Sequence, residues 1–90
     1  MTRSELASAS DLLASAAEDA TDADARDTLS ELSDQLGRLA DAERGPDHGR
    51  LARIEAKLDD VQTSASDDVA VAIDEALSEI HAYRETIEGV

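Results

Sequence analysis

The sequence predicts an all-α protein: a long antiparallel helical hairpin, with arms at about 3–43 and 49–88, that pairs with a second hairpin into a four-helix bundle. Three observations carry this. Ala, Leu, Glu and Arg, all good helix formers, dominate together with Asp and Ser, and no alternating apolar stretch is long enough for a strand. Apolar residues recur at helical spacing through both halves. The one strong breaker, Gly45-Pro46-Asp47-His48-Gly49, holds the only Pro and sits at the midpoint, so the chain reads as one domain, 1–90, with its turn at 45–49.

The first arm opens on Thr2-Arg3-Ser4-Glu5, a capping-box pattern. Its apolar stripe runs Leu6, Ser10, Leu13, Ala17, Thr21, Ala25, Leu29, Leu32, then Leu39. Gly45 can take the left-handed position beyond the helix end, Pro46 cannot continue the helix, and Asp47 can cap the next one. Shifted by 48 residues, the second arm repeats the stripe: Ile54, Leu58, Val61, Ala65, Val69, Ile73, Leu77, Ile80, then Ile87. Duplication and chance in a Leu/Ala-rich helix both give such a pattern. The steps are all fours in the middle of each arm, a stutter-like drift out of the heptad.

Folding the arms at residue 46 pairs residue i with about 92 − i. Leu39 then meets Ile54, Leu32 meets Val61, Leu13 meets Ile80, Ala9 meets Tyr83 and Leu6 meets Ile87. Leu36 joins this seam. An unbroken arm of this kind is about 60 Å long at 1.5 Å per residue. Such a hairpin is thin, and Leu12, Leu51 and Val71 add apolar surface beyond one seam, so a homodimer is expected. The alternative is a monomeric four-helix bundle. Thr21-Asp22-Ala23-Asp24 and Thr63-Ser64-Ala65-Ser66-Asp67 are rich in N-cap residues and place breaks near 21–24 and 63–67.

Charge constrains function. Twenty-two acids face eight bases, for a formal net charge of −14. With 17 Ala, a single Lys, one aromatic ring (Tyr83) and no Cys, the composition reads as a salt-adapted cytoplasmic protein. No disulfide scaffold or thiolate nucleophile is available. No apolar run approaches the ~18 residues of a membrane span, and an acidic body is repelled by nucleic acid and anionic lipid. Acidity stops near the turn. Between Arg38 and Lys57 lie five bases (Arg38, Arg44, Arg50, Arg53, Lys57) and four acids, while the remainder carries three bases and 18 acids. Helix electrostatics accounts for Arg38 and Arg44 near a helix C-terminus. It does not account for Arg50, Arg53 and Lys57 at the start of the second arm, which read as a partner-contact tip.

Other candidates read plainly. His81 lacks the Glu three residues before it that a carboxylate-bundle metal site uses, and it reads as part of a solvated face. His48 reads as a turn residue. The run Asp19–Glu31 fails as a calcium loop, with no Gly at the sharp turn, although Asp22/Asp24, Asp59/Asp60 and Asp67/Asp68 invite non-specific cations. Tyr83 reads as core with its hydroxyl at the edge. No phosphate loop, nucleophile elbow or Cys/His cluster occurs. No catalytic residue, metal ligand or cofactor is therefore assigned, and the chain is read as non-enzymatic.

Gly49-Arg50-Leu51-Ala52-Arg53-Ile54 after an acidic turn and Ile80-His81-Ala82-Tyr83-Arg84 near the end resemble a family of small, uncharacterised, acidic helical proteins of haloarchaea. The similarity spans about 40 residues of the second arm. It implies a salt-loving archaeal source and carries over no functional residue. The expected function is a helical interaction or scaffold protein that self-associates through its seam and contacts a protein partner through its tip. The alternatives are an acidic decoy or chaperone-like binder of basic proteins, and, less favoured, a carboxylate metal-binding bundle.

Overall fold

The computed structural model describes residues 3–87. Four helices follow one another: α1 (Ser4–Asp19), α2 (Ala23–Asp41), α3 (His48–Thr63) and α4 (Asp67–Thr86), with no strand among the described residues. Of the two architectures the sequence allows, the chain adopts the bundle with mid-arm breaks. The continuous arms at 3–43 and 49–88 do not form, and the longest dimension is 37 Å.

The breaks have local causes. Ala20 leaves the helix with extended backbone (φ −71°, ψ 132°). Asp22 caps α2, its carboxylate accepting from the Ala25 amide at 2.9 Å. Arg26 in the first turns of α2 reaches back and donates to the Ala20 carbonyl at 2.9 Å, serving the end of α1, which has no base of its own in its last turn. In the second half the Ser64 and Ala65 amides donate to the Val61 and Gln62 carbonyls, and Ser66 begins α4.

Rotation per residue explains why the stripe cannot run through. At about 100° per residue, a step of four overshoots one turn by about 40°. Four such steps, from Leu13 to Leu29, would carry the apolar face about 160° round a continuous helix. Breaking the helix resets the face. Within α1 the buried positions are Leu6, Ala9, Leu13, Ala16 and Ala17, and within α2 they are Leu29, Leu32, Ser33, Leu36 and Ala40, each set on one side.

α1 lies between α2 and α4 and packs closely on both, while α2 and α3 form the weakest of the four helix contacts. Small side chains allow the α1–α2 contact. Ser10 Oγ donates to the Ser33 carbonyl at 2.7 Å, and Ser33 Oγ donates to the Ser10 carbonyl at 2.8 Å. Gly37 sits over this pair, where a Cβ would meet Ser10 Oγ at 3.3 Å. The fold at residue 46 still brings α1 beside α4, as expected. The inner pairing changes, because α2 now packs mainly on α1 rather than on α3.

The seam residues form the core of one chain. Leu6, Leu13, Leu29, Leu32, Leu36, Ile54, Leu58, Val69, Ile73 and Ile80 are buried, with Leu51 and six alanines beside them. Leu39, Val61, Leu77, Tyr83 and Ile87 are half-buried against that cluster, as is Leu12. Val71 is the one large apolar side chain exposed among the described residues.

Three local expectations change. The 48-residue repeat is one helical turn out of register. α1 and α3 are both 16 residues long and begin at Ser4 and His48, an offset of 44. A four-residue slip keeps the same face, so the apolar pattern survived while the structural correspondence did not. Gly45 is not left-handed, since no described glycine has positive φ. It is small because a Cβ there would lie 2.6 Å from Tyr83 Oη and 2.8 Å from Arg3 Nε. The capping-box helix start shifts by one: Arg3 is the N-cap of α1, its amide bonded to the Ala40 carbonyl at 2.9 Å, and Thr2 lies outside the described residues.

Candidate interaction surface at the basic end

The eight bases divide into two groups. Three hold the fold together. Arg3 Nη1 donates to the carbonyls of Ala42 at 2.7 Å, Leu39 at 3.1 Å and Ala40 at 3.4 Å, and Nη2 donates to that of Glu43 at 3.4 Å. One guanidinium from the start of α1 thus closes the C-terminus of α2, where unpaired carbonyls and the negative end of the helix dipole favour a cation. Arg26 serves the end of α1. Arg84 pairs with Glu55 across α3 and α4, at 3.0 and 3.1 Å to the two carboxylate oxygens, and its Nε donates to His48 Nδ1 at 3.1 Å.

The other five, Arg38, Arg44, Arg50, Arg53 and Lys57, are exposed. None forms an ion pair within the described residues, in which Glu55 with Arg84 and with His81 are the only ion pairs. Arg38 lies in the last turn of α2, where the helix dipole favours a cation, but the hydrogen bonds to the α2 carbonyls come from Arg3 rather than from Arg38 or Arg44. Arg44, Arg50 and Arg53 line one shallow groove together with Leu39, Pro46 and Asp47. Asp47 is engaged as the α3 cap, its Oδ1 accepting from the Arg50 amide at 2.8 Å, as its position after Pro46 leads one to expect.

Periodicity and contacts fix where these bases point. α2 presents Ser33 and Gly37 to α1 and Leu39 to the groove shared with α3. α3 presents Glu55 and Gln62 to α4, Gln62 Nε2 donating to the Ala70 carbonyl at 3.0 Å and to Asp74 Oδ1 at 2.7 Å. Arg50, Arg53 and Lys57, spaced three and four apart, share the flank of α3 away from α4, whereas Arg38 lines a separate groove with Ser10, Ser33 and Gly37 between α1 and α2.

The histidines are more engaged than the sequence implies. His48 is the first residue of α3 rather than a free turn residue, and it accepts from Arg84. His81 Nε2 lies 3.5 Å from Glu55 Oε1 with its side chain largely exposed. Glu88, one of the acids near His81, lies outside the described residues. No group of three or more potential metal ligands converges among the described residues. The Arg3 cap, the serine pair and the Arg84 cluster are invisible to pattern reading, because each joins residues 23 to 40 positions apart.

The geometry therefore defines a small all-α four-helix protein with five exposed bases on and beside its central turn. The chain belongs to a family of unknown function, DUF7553, which matches residues 1–86. The match takes in the first arm as well as the second, where the resemblance was legible. Comparison with curated proteins and with solved structures gave no match. No described helix is long and apolar enough to cross a membrane.

Proposed function

We propose that this chain is a non-enzymatic helical interaction or scaffold protein, and that its contact surface is the end of the bundle carrying Arg38, Arg44, Arg50, Arg53 and Lys57. One observation carries the reading. In a chain with 22 acids, Arg44, Arg50 and Arg53 share one groove at the central turn, with Arg38 and Lys57 exposed on the helices either side of it, and none of the five takes a carboxylate partner among the described residues, while the other three bases are all engaged in the fold. Unpaired bases beside Leu39 and Pro46 suit an acidic protein surface, with charge setting orientation and the apolar floor adding adhesion. A decoy for basic proteins fits less well, since concentrated salt screens the attraction such a binder relies on.

The rest of the surface reads as adaptation to concentrated salt in the cytoplasm of a haloarchaeon. Salt at about 1 M cuts the Debye length to about 3 Å and screens the self-repulsion of a −14 chain. Self-association remains part of the proposal, with a new basis. The seam is consumed inside each chain, so a second copy would dock on the outside.

The test is a comparative capture from native lysate at high salt, using the wild type and an Arg50→Glu/Arg53→Glu variant. At least one protein retained by the wild type is expected to fall about tenfold on the variant, in line with the loss of about 1.4 kcal/mol. Identical capture by both proteins would refute the contact surface.

A further inference from the structure

We infer that the groove at the central turn is a phosphoryl site, in which Arg44, Arg50 and Arg53 take one phosphate monoester dianion, carried by a side chain of a partner protein or by a free small molecule. The inference rests on the reading of this groove as part of a contact surface and names the chemistry it contacts.

The backbone beneath the three arginines is fixed. Arg44 precedes Gly45, whose surroundings are so close that a Cβ there would lie 2.6 Å from Tyr83 Oη and 2.8 Å from Arg3 Nε. Pro46 follows and is buried. Arg50 is tied to the turn through its amide, which donates to Asp47 Oδ1 at 2.8 Å. Arg53 stands three residues further along α3, and residues three apart on a helix have Cβ atoms only about 5–6 Å apart. Three long side chains rooted around one groove can close on a single small group. The start of α3 lies at the same place and adds the positive end of its helix dipole.

Size and charge select that group. The groove holds about 310 Å³. That is the low end of the roughly 300–1,000 Å³ of small-molecule sites, and too little for a helix about 10 Å across. Three bases and one acid, Asp47, line it, which leaves a balance of two positive charges. A phosphate monoester carries about −1.5 to −2 at neutral pH and offers three strong acceptor oxygens. A carboxylate carries one charge and two oxygens, enough for a single guanidinium fork. All three bases are Arg, whose planar fork bonds phosphate through two parallel hydrogen bonds. Glu43 adjoins Arg44 in sequence, yet no ion pair joins a described carboxylate to any of the three. In about 1 M salt the Debye length is about 3 Å, close to the ~2.8 Å of a charge-assisted hydrogen bond. Only direct contacts then count. The distant acids of the −14 chain are screened, and the number of forks engaged decides which anion stays.

Amide shifts in nuclear magnetic resonance, followed in about 1 M potassium chloride, test this with inorganic phosphate, O-phosphoserine and acetate as probes. Both phosphoryl probes are expected to shift the amides of Gly45, Gly49 and Arg50 saturably, and acetate at the same concentration is not. Arg50→Gln/Arg53→Gln is expected to weaken phosphoryl binding by about tenfold or more, as loss of hydrogen bonds to a charged group implies. Arg38→Gln, in the separate α1/α2 groove, is expected to leave it unchanged. Circular dichroism checks helix content, and Arg44→Gln replaces the double variant if that loses its helix. Absence of a saturable phosphoryl shift, an equal response to acetate, or unchanged binding in the variant would overturn the inference. Phosphatase treatment of the native lysate before capture separates the two sources. Loss of the proteins whose capture needs Arg50 and Arg53 assigns the phosphoryl group to a partner's side chain, and their retention beside a saturable titration assigns it to a free small molecule. Capture that falls on Arg50→Glu/Arg53→Glu without any phosphoryl titration would overturn the inference and leave the contact surface standing. A saturable titration with identical capture by both proteins would remove the protein contact and leave the phosphoryl site.

Discussion

Gly45 and Gly49 flank the central turn four residues apart, and they are glycine for different reasons. At Gly45 a methyl group would sit 2.6 Å from Tyr83 Oη and 2.8 Å from Arg3 Nε, inside a junction where α1, the turn and α4 meet. At Gly49, in the first turn of α3, the nearest atom would be Asp47 Oδ1 at 3.5 Å, an ordinary contact. Gly45→Ala is therefore expected to destabilise by about 1–3 kcal/mol through overpacking. Gly49→Ala is expected to stabilise by about 0.5 kcal/mol through the unfolded chain. Urea midpoints moving in opposite directions would check the pair, and a common direction would contradict the placement of the turn. Ser10 and Ser33 belong to the same scale. Their reciprocal bonds satisfy two hydroxyls in the tightest helix contact, and Ser33 is the one buried polar residue among those described. Ser33→Ala is expected to cost about 1 kcal/mol in urea unfolding, the net worth of a typical hydrogen bond. An unchanged midpoint would contradict the pairing.

At the scale of the elements, helix content, the Pro46 turn and the Asp47 cap were legible because each is written in neighbouring residues. The identity of the core was legible too, since a helical face survives a slip of one turn. The breaks at 20–22 and 64–66 were harder to see. Neither contains Gly or Pro, and apolar residues continue across both, so composition favoured continuity. The all-fours spacing between Leu13 and Leu29, which reads as a stutter within one helix, is the mark of the break, because a face that drifts about 160° cannot stay on one core. The charged tip was visible as a count, but its meaning was not. Only the fold shows that Arg3 has taken the α2 terminus and left Arg38 and Arg44 exposed with no ion pair among the described residues. Packing is also uneven between elements. α1 is held on two sides, whereas α3 buries only Leu51, Ile54 and Leu58 and packs mainly on α4. Native-state hydrogen exchange should find the slowest amides in α1 and the earliest opening in α3. Uniform protection across the four helices would contradict this order.

For the whole molecule, the central consequence is that two extra folds of the chain bring its charges into a pattern the linear sequence does not display. Acid dominates the bundle as a whole, and Arg44, Arg50 and Arg53 collect in one groove at the central turn. Self-repulsion at a charge of −14 is expected to weaken the fold as salt is withdrawn. Helical ellipticity should fall between about 1 M and 0.01 M potassium chloride, and full retention at the lower value would count against salt adaptation. All of this depends on α1 folding back onto α2 within one chain. The direct measurement is the distance between spin labels at the exposed positions Ser8 and Arg38, taken with labelled protein diluted into excess unlabelled chain so that only intramolecular pairs count. Helices packed at 8–10 Å give a label separation of roughly 20 Å or less, which is the predicted result. A separation near 45 Å, the length of a continuous helix of about 30 residues, would contradict the fold and the surface built upon it.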